Sequence, residues 1–226
     1  MKKYVISPSD LTFLYHQCKR CFYLKAVHGI KQPSSSMAVH STLDRLLKKK
    51  VVNQPIQSII PQAKKGQIID TGKTVFSHDI FNGQNGISLH IKGNYDARVA
   101  YDDGTYGLID FKLSKLTEDK KTKKLEQYTP QLYAYAYALE HPDKGSPLQV
   151  SELWLYFLYP ESLAEDYHIR ISNWSEKLEY DATLLQNFKT GLLQEVYQLL
   201  AQDQPPDPAE NCEYCNYLKS LQPYFS

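Results

Sequence analysis

The stretch from Ile91 to Lys112 constrains this chain more than any other. β-Branched and aromatic residues (Ile91, Tyr95, Val99 and Tyr101, then Tyr106, Ile109 and Phe111) flank Asp102-Asp103-Gly104, and the pattern reads as a β-hairpin. Gly104 supplies the positive φ that such a turn requires. A three-residue loop over 102–104 pairs Tyr101 with Thr105 and, counting back, Asp96 with Asp110. Opposed residues share a face, with Cβ atoms roughly 4.5–5.5 Å apart. Lys112, two residues beyond Asp110, points the same way. Like charges directly opposite on a sheet are destabilising unless a cation sits between them, so the pattern asks for a divalent metal. A two-residue loop would shift the register by one and send the carboxylates to opposite faces. Gly107 to Phe111 is mostly apolar around the acid, as in a central strand covered on both faces, and an acid there is costly unless paired or coordinated.

Candidate partners lie on helices either side. Ser36 can cap a helix running from Met37 through Leu47, whose apolar positions recur at three and four residues. His40, Leu43 and Leu47 share its stripe, so His40 is expected to face inward, as a core residue or a ligand. Thr129-Pro130 reads as the start of a further helix, with Gln131 and Tyr135 one turn apart on one side. Tyr133, Tyr135 and Tyr137 cannot all face one way, which divides them between core and cleft.

In order and approximate spacing, His40, Gly93-x-x-Asp96, Asp110-x-Lys112 and Gln131-x-x-x-Tyr135 resemble the PD-(D/E)XK nucleases of the RecB type. Ile6-Ser7-Pro8-Ser9-Asp10-Leu11, with Cys18 beyond it, resembles that family's opening, and the small CRISPR-associated RecB-like exonucleases are the most similar branch. The resemblance spans residues 5–220. It implies an α/β restriction-endonuclease-like core, a mixed central β-sheet flanked by helices, in a single nuclease domain over residues 1–226. It further implies that His40, Asp96, Asp110 and the backbone carbonyl of Phe111 coordinate Mg²⁺ or Mn²⁺. Lys112 would orient or help deprotonate the attacking water, and Gln131 and Tyr135 would position Lys112 and the nucleic-acid backbone. The implied activity is a metal-dependent deoxyribonuclease, an exonuclease on single-stranded DNA or DNA ends, serving CRISPR adaptation and antiviral defence beside CRISPR integrase proteins. Alternatives are a phage or recombination nuclease of the same superfamily, or a metal-stapled DNA-binding protein without turnover. The intact acid-acid-lysine set argues against the last. Asn94-Tyr95 departs from the smaller residues usual before the motif acid.

Cysteine usage is a second signal. The four cysteines form Cys18-Lys-Arg-Cys21 and Cys212-Glu-Tyr-Cys215, one C-x-x-C near each end. Paired units of this kind point to a metal, against a structural alternative of four buried free thiols. No signal peptide and no apolar run of 18 or more residues is found, so a reducing, cytoplasmic setting without membrane attachment is expected. In the resembling family one N-terminal and three C-terminal cysteines hold an iron–sulfur cluster. Here Leu221 stands where the last would fall and Cys21 is extra, so Cys21 is read as the replacement ligand of a 4Fe-4S cluster. A 2Fe-2S cluster and tetrahedral Zn²⁺ suit four thiolates equally.

A chain of 226 residues with 42% hydrophobic content can build one sizeable core. Its net charge of +1 predicts no partner, but the distribution does. Residues 1–124 carry 21 Lys and Arg against 10 Asp and Glu, and the remainder five against 15, which implies a basic face. Lys112 to Lys124 is the densest run, read as a phosphate-tracking segment or a solvated loop. Elsewhere the pattern predicts a helix over 9–25, short strands within 54–80, a strand over 152–159 stopped by Pro160 and paired with 167–171, and an amphipathic helix over 175–202.

Overall fold

The computed structural model describes residues 2–33, 38–83, 86–165 and 168–222. The β-branched and aromatic runs form two sheets. Strands β1 (Lys2–Ile6), β3 (Thr74–Phe76) and β4 (Ile87–Asn94) make one, with β4 central, parallel to β1 and antiparallel to β3. Strands β2 (Gly66–Thr71), β5 (Ala97–Tyr101), β6 (Tyr106–Leu113), β7 (Val150–Leu163) and β8 (Ile169–Leu178) make the other, a mixed sheet in the order β2-β5-β6-β7-β8. Its β6–β7 pair is parallel, which requires a crossover, and helix α5 (Glu118–Glu140) supplies it.

The hairpin register is the one expected. Ala97 pairs with Ile109 and Ala100 with Tyr106; the Tyr101 N–H donates to Thr105 O at 2.9 Å, and Gly104 takes φ = 80°. Its reach is shorter than the sequence pattern indicates, because Ile91 to Asn94 belong to β4 in the other sheet. The chain turns from one sheet to the other at Tyr95-Asp96. Just before the turn, Gly93 lets α1 (Pro8–Thr12) and α5 pack close on β4: a Cβ there would lie 2.7 Å from Pro8 Cδ and 3.1 Å from Tyr135 Cε1.

Several expected helices have different bounds. The one over 9–25 is three pieces, α1, α2 (Leu14–Gln17) and α3 (Lys19–His28): Phe13, at φ = −107° and ψ = −63°, separates the first two, and Cys18, extended at φ = −161°, the last two. Helix α4 (Ala38–Val51) follows; Ser36 and Met37, read as its cap and first turn, lie outside the described residues. Helix α5 begins well before Thr129, after Thr117, so the Lys120–Lys124 run is helical rather than a loop. Pro130 sits inside it, and the helix survives the lost N–H because Gln131 to Leu139 beyond it are all buried against the sheets. The helix expected from Ser175 starts after Asp181, whose carboxylate accepts the Leu184 N–H at 2.7 Å. It runs as α6 (Ala182–Phe188), a π-helical turn (Lys189–Leu193) and α7 (Gln194–Leu200), because Ser175 to Leu178 complete β8. Strand β7 continues through Pro160, since β6 ends opposite Leu158 and β7 is thereafter paired on one side only. Tyr167 lies outside the described residues. The last helix is α8 (Glu213–Leu221).

The five-stranded sheet is covered on both faces. Leu108, Leu153, Leu155 and Phe157 pack with α5 in one apolar cluster; Ile109, Phe111, Trp154 and Tyr156 pack with Val51 at the end of α4 and with Ile56 in the other. Among the described residues no helix is long and apolar enough to cross a membrane.

Candidate active site and cysteine centre

Asp110 projects from the middle of β6 into the α5 side of the sheet and is only 2% exposed. Gln131 Nε2 donates to its Oδ1 at 3.2 Å, and Lys112 Nζ lies 2.6 Å from its Oδ2. That second contact is an ion pair without hydrogen-bond alignment, which leaves Oδ2 buried with charge compensation but no aligned donor. Lys112 Nζ also donates to Gln131 Oε1 at 2.9 Å, so Gln131 spans acid and lysine. The Tyr128 ring lies 4.3 Å from Lys112 Nζ and the Phe13 ring 5.9 Å away.

Asp96 stands at the turn between the sheets. Its Oδ2 accepts the Phe111 N–H at 2.8 Å, which ties it to the residue after Asp110. Its Oδ1 pairs with Lys48 Nζ at 2.7 Å, and Lys48 also reaches Asp44 at 2.8 Å. Burial works against the Lys48 charge, but Asp96 and Asp44 hold its pKa above the ordinary value. For Asp110 burial dominates. It pushes the carboxyl up to about 7, with Lys112 opposing and the nearby Asp96 charge adding.

Tyr135, expected beside the substrate backbone, is buried, and its hydroxyl donates to Asn94 O at 2.8 Å. Burial raises its pKa, so it stays a neutral donor, fixing the bend that presents Asp96. Tyr133 and Tyr137 are also buried, so all three tyrosines are core and none lines a cleft.

His40 corrects an expectation. It is exposed, where an inward-facing position was expected; among the described residues, the cysteines form the one group of three or more such ligand side chains whose donor atoms lie within 4.8 Å of one another. His40 does lie on the stripe that its spacing indicates, eight residues from Lys48, about two turns. That end of α4 is separated from the sheet by an open cavity that His40 and Leu43 line with Leu113 and Leu158, and Val39 and Leu46 are also exposed. The residues that α4 contributes are Lys48 and Asp44. Their i,i+4 spacing was the available signal, and on its own it is indistinguishable from an ordinary surface pair.

Two hard oxygen donors, Asp96 Oδ1 and Asp110 Oδ2, each neutralised by a lysine, suit a divalent cation. A buried carboxylate otherwise costs several kcal/mol, and the like charge beside it adds to that cost.

The four cysteines meet. Cys18 precedes α3 and Cys21 lies in its first turn; Cys212 and Cys215 are placed the same way on α8. Sγ separations are 4.0 Å for Cys18–Cys215, 3.7 Å for Cys21–Cys212 and 3.3 Å for Cys21–Cys215, and all four sulfurs lie within 4.8 Å of one another. A tetrahedral ion with bonds of about 2.3 Å sets its sulfurs about 3.8 Å apart. Burial pushes Cys21 up to about 11 and Cys215 further. For Cys18 burial acts in the same direction, but backbone hydrogen bonds at Ala209 and Cys21 bring it down to about 7. Arg20 Nη1 donating to Pro206 O at 3.2 Å and Tyr23 Oη donating to Gln202 O at 2.7 Å hold the same two segments together.

No curated protein matches the sequence. Among solved structures, the crystal structure of SSO0001 is similar at a TM-score of 0.45 and 16% identity, over 95% of this chain and 84% of that one. An alkaline exonuclease (LHK-Exo) from Laribacter hongkongensis is similar at a TM-score of 0.40 and 13% identity, over 98% and 94%; its complex with dAMP gives 0.40 and 14% over the same shares. Residues 57–220 match the family model of the PD-(D/E)XK nuclease superfamily, and the chain belongs to that superfamily.

Proposed function

We propose that the protein is a divalent-metal-dependent deoxyribonuclease acting on single-stranded DNA or DNA ends. The observation that carries this is the joined set on β6 and α5: a buried acid, a lysine two residues on, and a glutamine touching both, with a second acid held to the same strand. Asp96 and Asp110 would hold Mg²⁺ or Mn²⁺, which when bound stabilises charge developing on the scissile phosphate. His40, carried by the same helix as Lys48, would be the third ligand that the family resemblance implies. Lys112 would orient the attacking water, with Gln131 fixing its position. Tyr135 acts at one remove, through the backbone at Asn94.

Linear single strands should be degraded in Mg²⁺ or Mn²⁺ while closed circles of the same sequence survive. Equal loss of circles would replace the end-dependent activity with an endonuclease. DNA binding without turnover in any divalent metal would favour the non-catalytic alternative. The cytoplasmic setting rests on the sequence pattern around the cysteines and the lack of an export signal, and the CRISPR-adaptation role with integrase partners on the ordered motifs; neighbouring genes separate that role from a phage or recombination setting.

For the cysteine centre, the family resemblance implies a 4Fe-4S cluster. Such a cluster, or a 2Fe-2S one, must fit several irons and sulfides between the four sulfurs and so hold them further apart than a single ion does. Separations of 3.3–4.0 Å for three of the sulfur pairs, with all four sulfurs within 4.8 Å of one another, favour one tetrahedral ion, and we read it as Zn²⁺. Anaerobically purified protein should be colourless with one zinc per chain; a brown preparation with iron and labile sulfide would restore the cluster.

A further inference from the structure

We propose that the sheet surface beyond Lys112 is a binding track for single-stranded DNA, on which the rings of Trp174 and Tyr159 stack bases while Lys115 and Lys121 meet phosphates. This deepens the nuclease reading and rests on it for the identity of the strand.

The register places the track. Asp110 pairs with Leu155 and Leu155 with Glu176; in the next row on the same face, Lys112 pairs with Phe157 and Phe157 with Trp174. Trp174 is therefore on the α5 side of the sheet, level with Lys112 and two strands away, about 10 Å. Tyr159 follows Phe157 on that face. Helix α5 answers this row residue by residue. Tyr128 lies against Lys112, Lys124 Nζ is 5.9 Å from the Phe157 ring, and Lys121 Nζ is 5.5 Å from the Trp174 ring. Lys115 Nζ stands 5.6 Å from the Tyr159 ring.

Burial then changes along the row. Phe157 is enclosed, whereas Trp174 is 50% exposed and Tyr159 39% exposed. The other tryptophan, Trp154, faces the opposite side of the sheet and is 2% exposed, so the fold has no difficulty burying that side chain where packing is its role. The Trp174 indole N–H donates to Glu176, which fixes the ring in place. Lys121 pairs with Glu176 at 2.5 Å, a contact that a phosphate can exchange for its own. Exposed rings with cations beside them form a stacking surface for unpaired bases and a charged path for their backbone. Paired bases do not offer their faces, which makes the ligand a single strand rather than a duplex.

The test uses full-length Asp110→Asn protein, a 12-nucleotide oligo-dT, and an abasic oligonucleotide of equal length that keeps the phosphates and lacks the bases. Adding Trp174→Ala should weaken oligo-dT binding roughly 5- to 100-fold and leave the abasic strand unaffected, while Trp174→Phe should restore most of the loss. Oligo-dT should quench Trp174 fluorescence in the parent. Equal oligo-dT affinity with and without Trp174, or equal weakening of the abasic strand, would overturn the track. Wild-type turnover of bis(p-nitrophenyl) phosphate, too small to reach Trp174, tests the metal chemistry separately: its absence would count against the nuclease reading, while the binding comparison still decides the track.

Discussion

Asp96, Asp110 and Lys112 were legible in the sequence because strand alternation and a turn fixed by Gly104 leave little freedom in where side chains point. His40 was less so: helical periodicity gives the face of a side chain but not how far along the helix the contact with a sheet extends. Lys48 was not legible, since its pairing with Asp96 joins residues 48 positions apart. The raised pKa of Asp110 has a consequence for metal-free protein. Its folded value of about 7 stands against 3.8 ordinarily, so between the two the folded chain holds a proton that the unfolded chain has lost. The stabilisation from this group is full below about 4, falls as pH rises, and is gone above about 7. Urea midpoints measured between pH 4 and 8 in EDTA should show this decline, and Asp110→Asn should flatten it; an unchanged slope in the variant would assign the effect elsewhere.

At the scale of elements, the hairpin loop and the existence of the long helix were readable, but their bounds were not. Ile91 to Asn94 alternate like hairpin residues whichever sheet recruits them, and a proline that usually opens a helix is tolerated within α5 because tertiary burial outweighs the lost hydrogen bond. Gly93 shows how closely α1 and α5 pack on β4. Gly93→Ala should destabilise the protein by about 1–3 kcal/mol, because the new methyl meets the Pro8 ring and the edge of Tyr135. A urea midpoint equal to that of the wild type would mean that these rings move aside freely. The same substitution should reduce cleavage, since Tyr135 holds the bend at Asn94 that presents Asp96.

For the whole molecule, a metal held by the four clustered cysteines would close a loop of nearly the entire chain and so remove entropy from the unfolded state. The cysteine pattern announced that the two ends meet, while the kind of metal they would hold depends on sulfur separations that no spacing in sequence encodes. Cys215→Ser should cost about 2–4 kcal/mol, read as a lowered Tm with loss of bound metal. A Tm unchanged by the substitution would mean that Arg20, Tyr23 and their backbone partners suffice to hold the ends. The most direct test of the nuclease assignment is cleavage of a 5′-labelled linear single strand by wild-type and Asp110→Ala protein, with and without Mn²⁺, each checked for folding by circular dichroism. Cutting should require the metal and disappear in the folded variant; persistent metal-dependent cutting by rigorously purified Asp110→Ala protein would contradict a catalytic centre at Asp110.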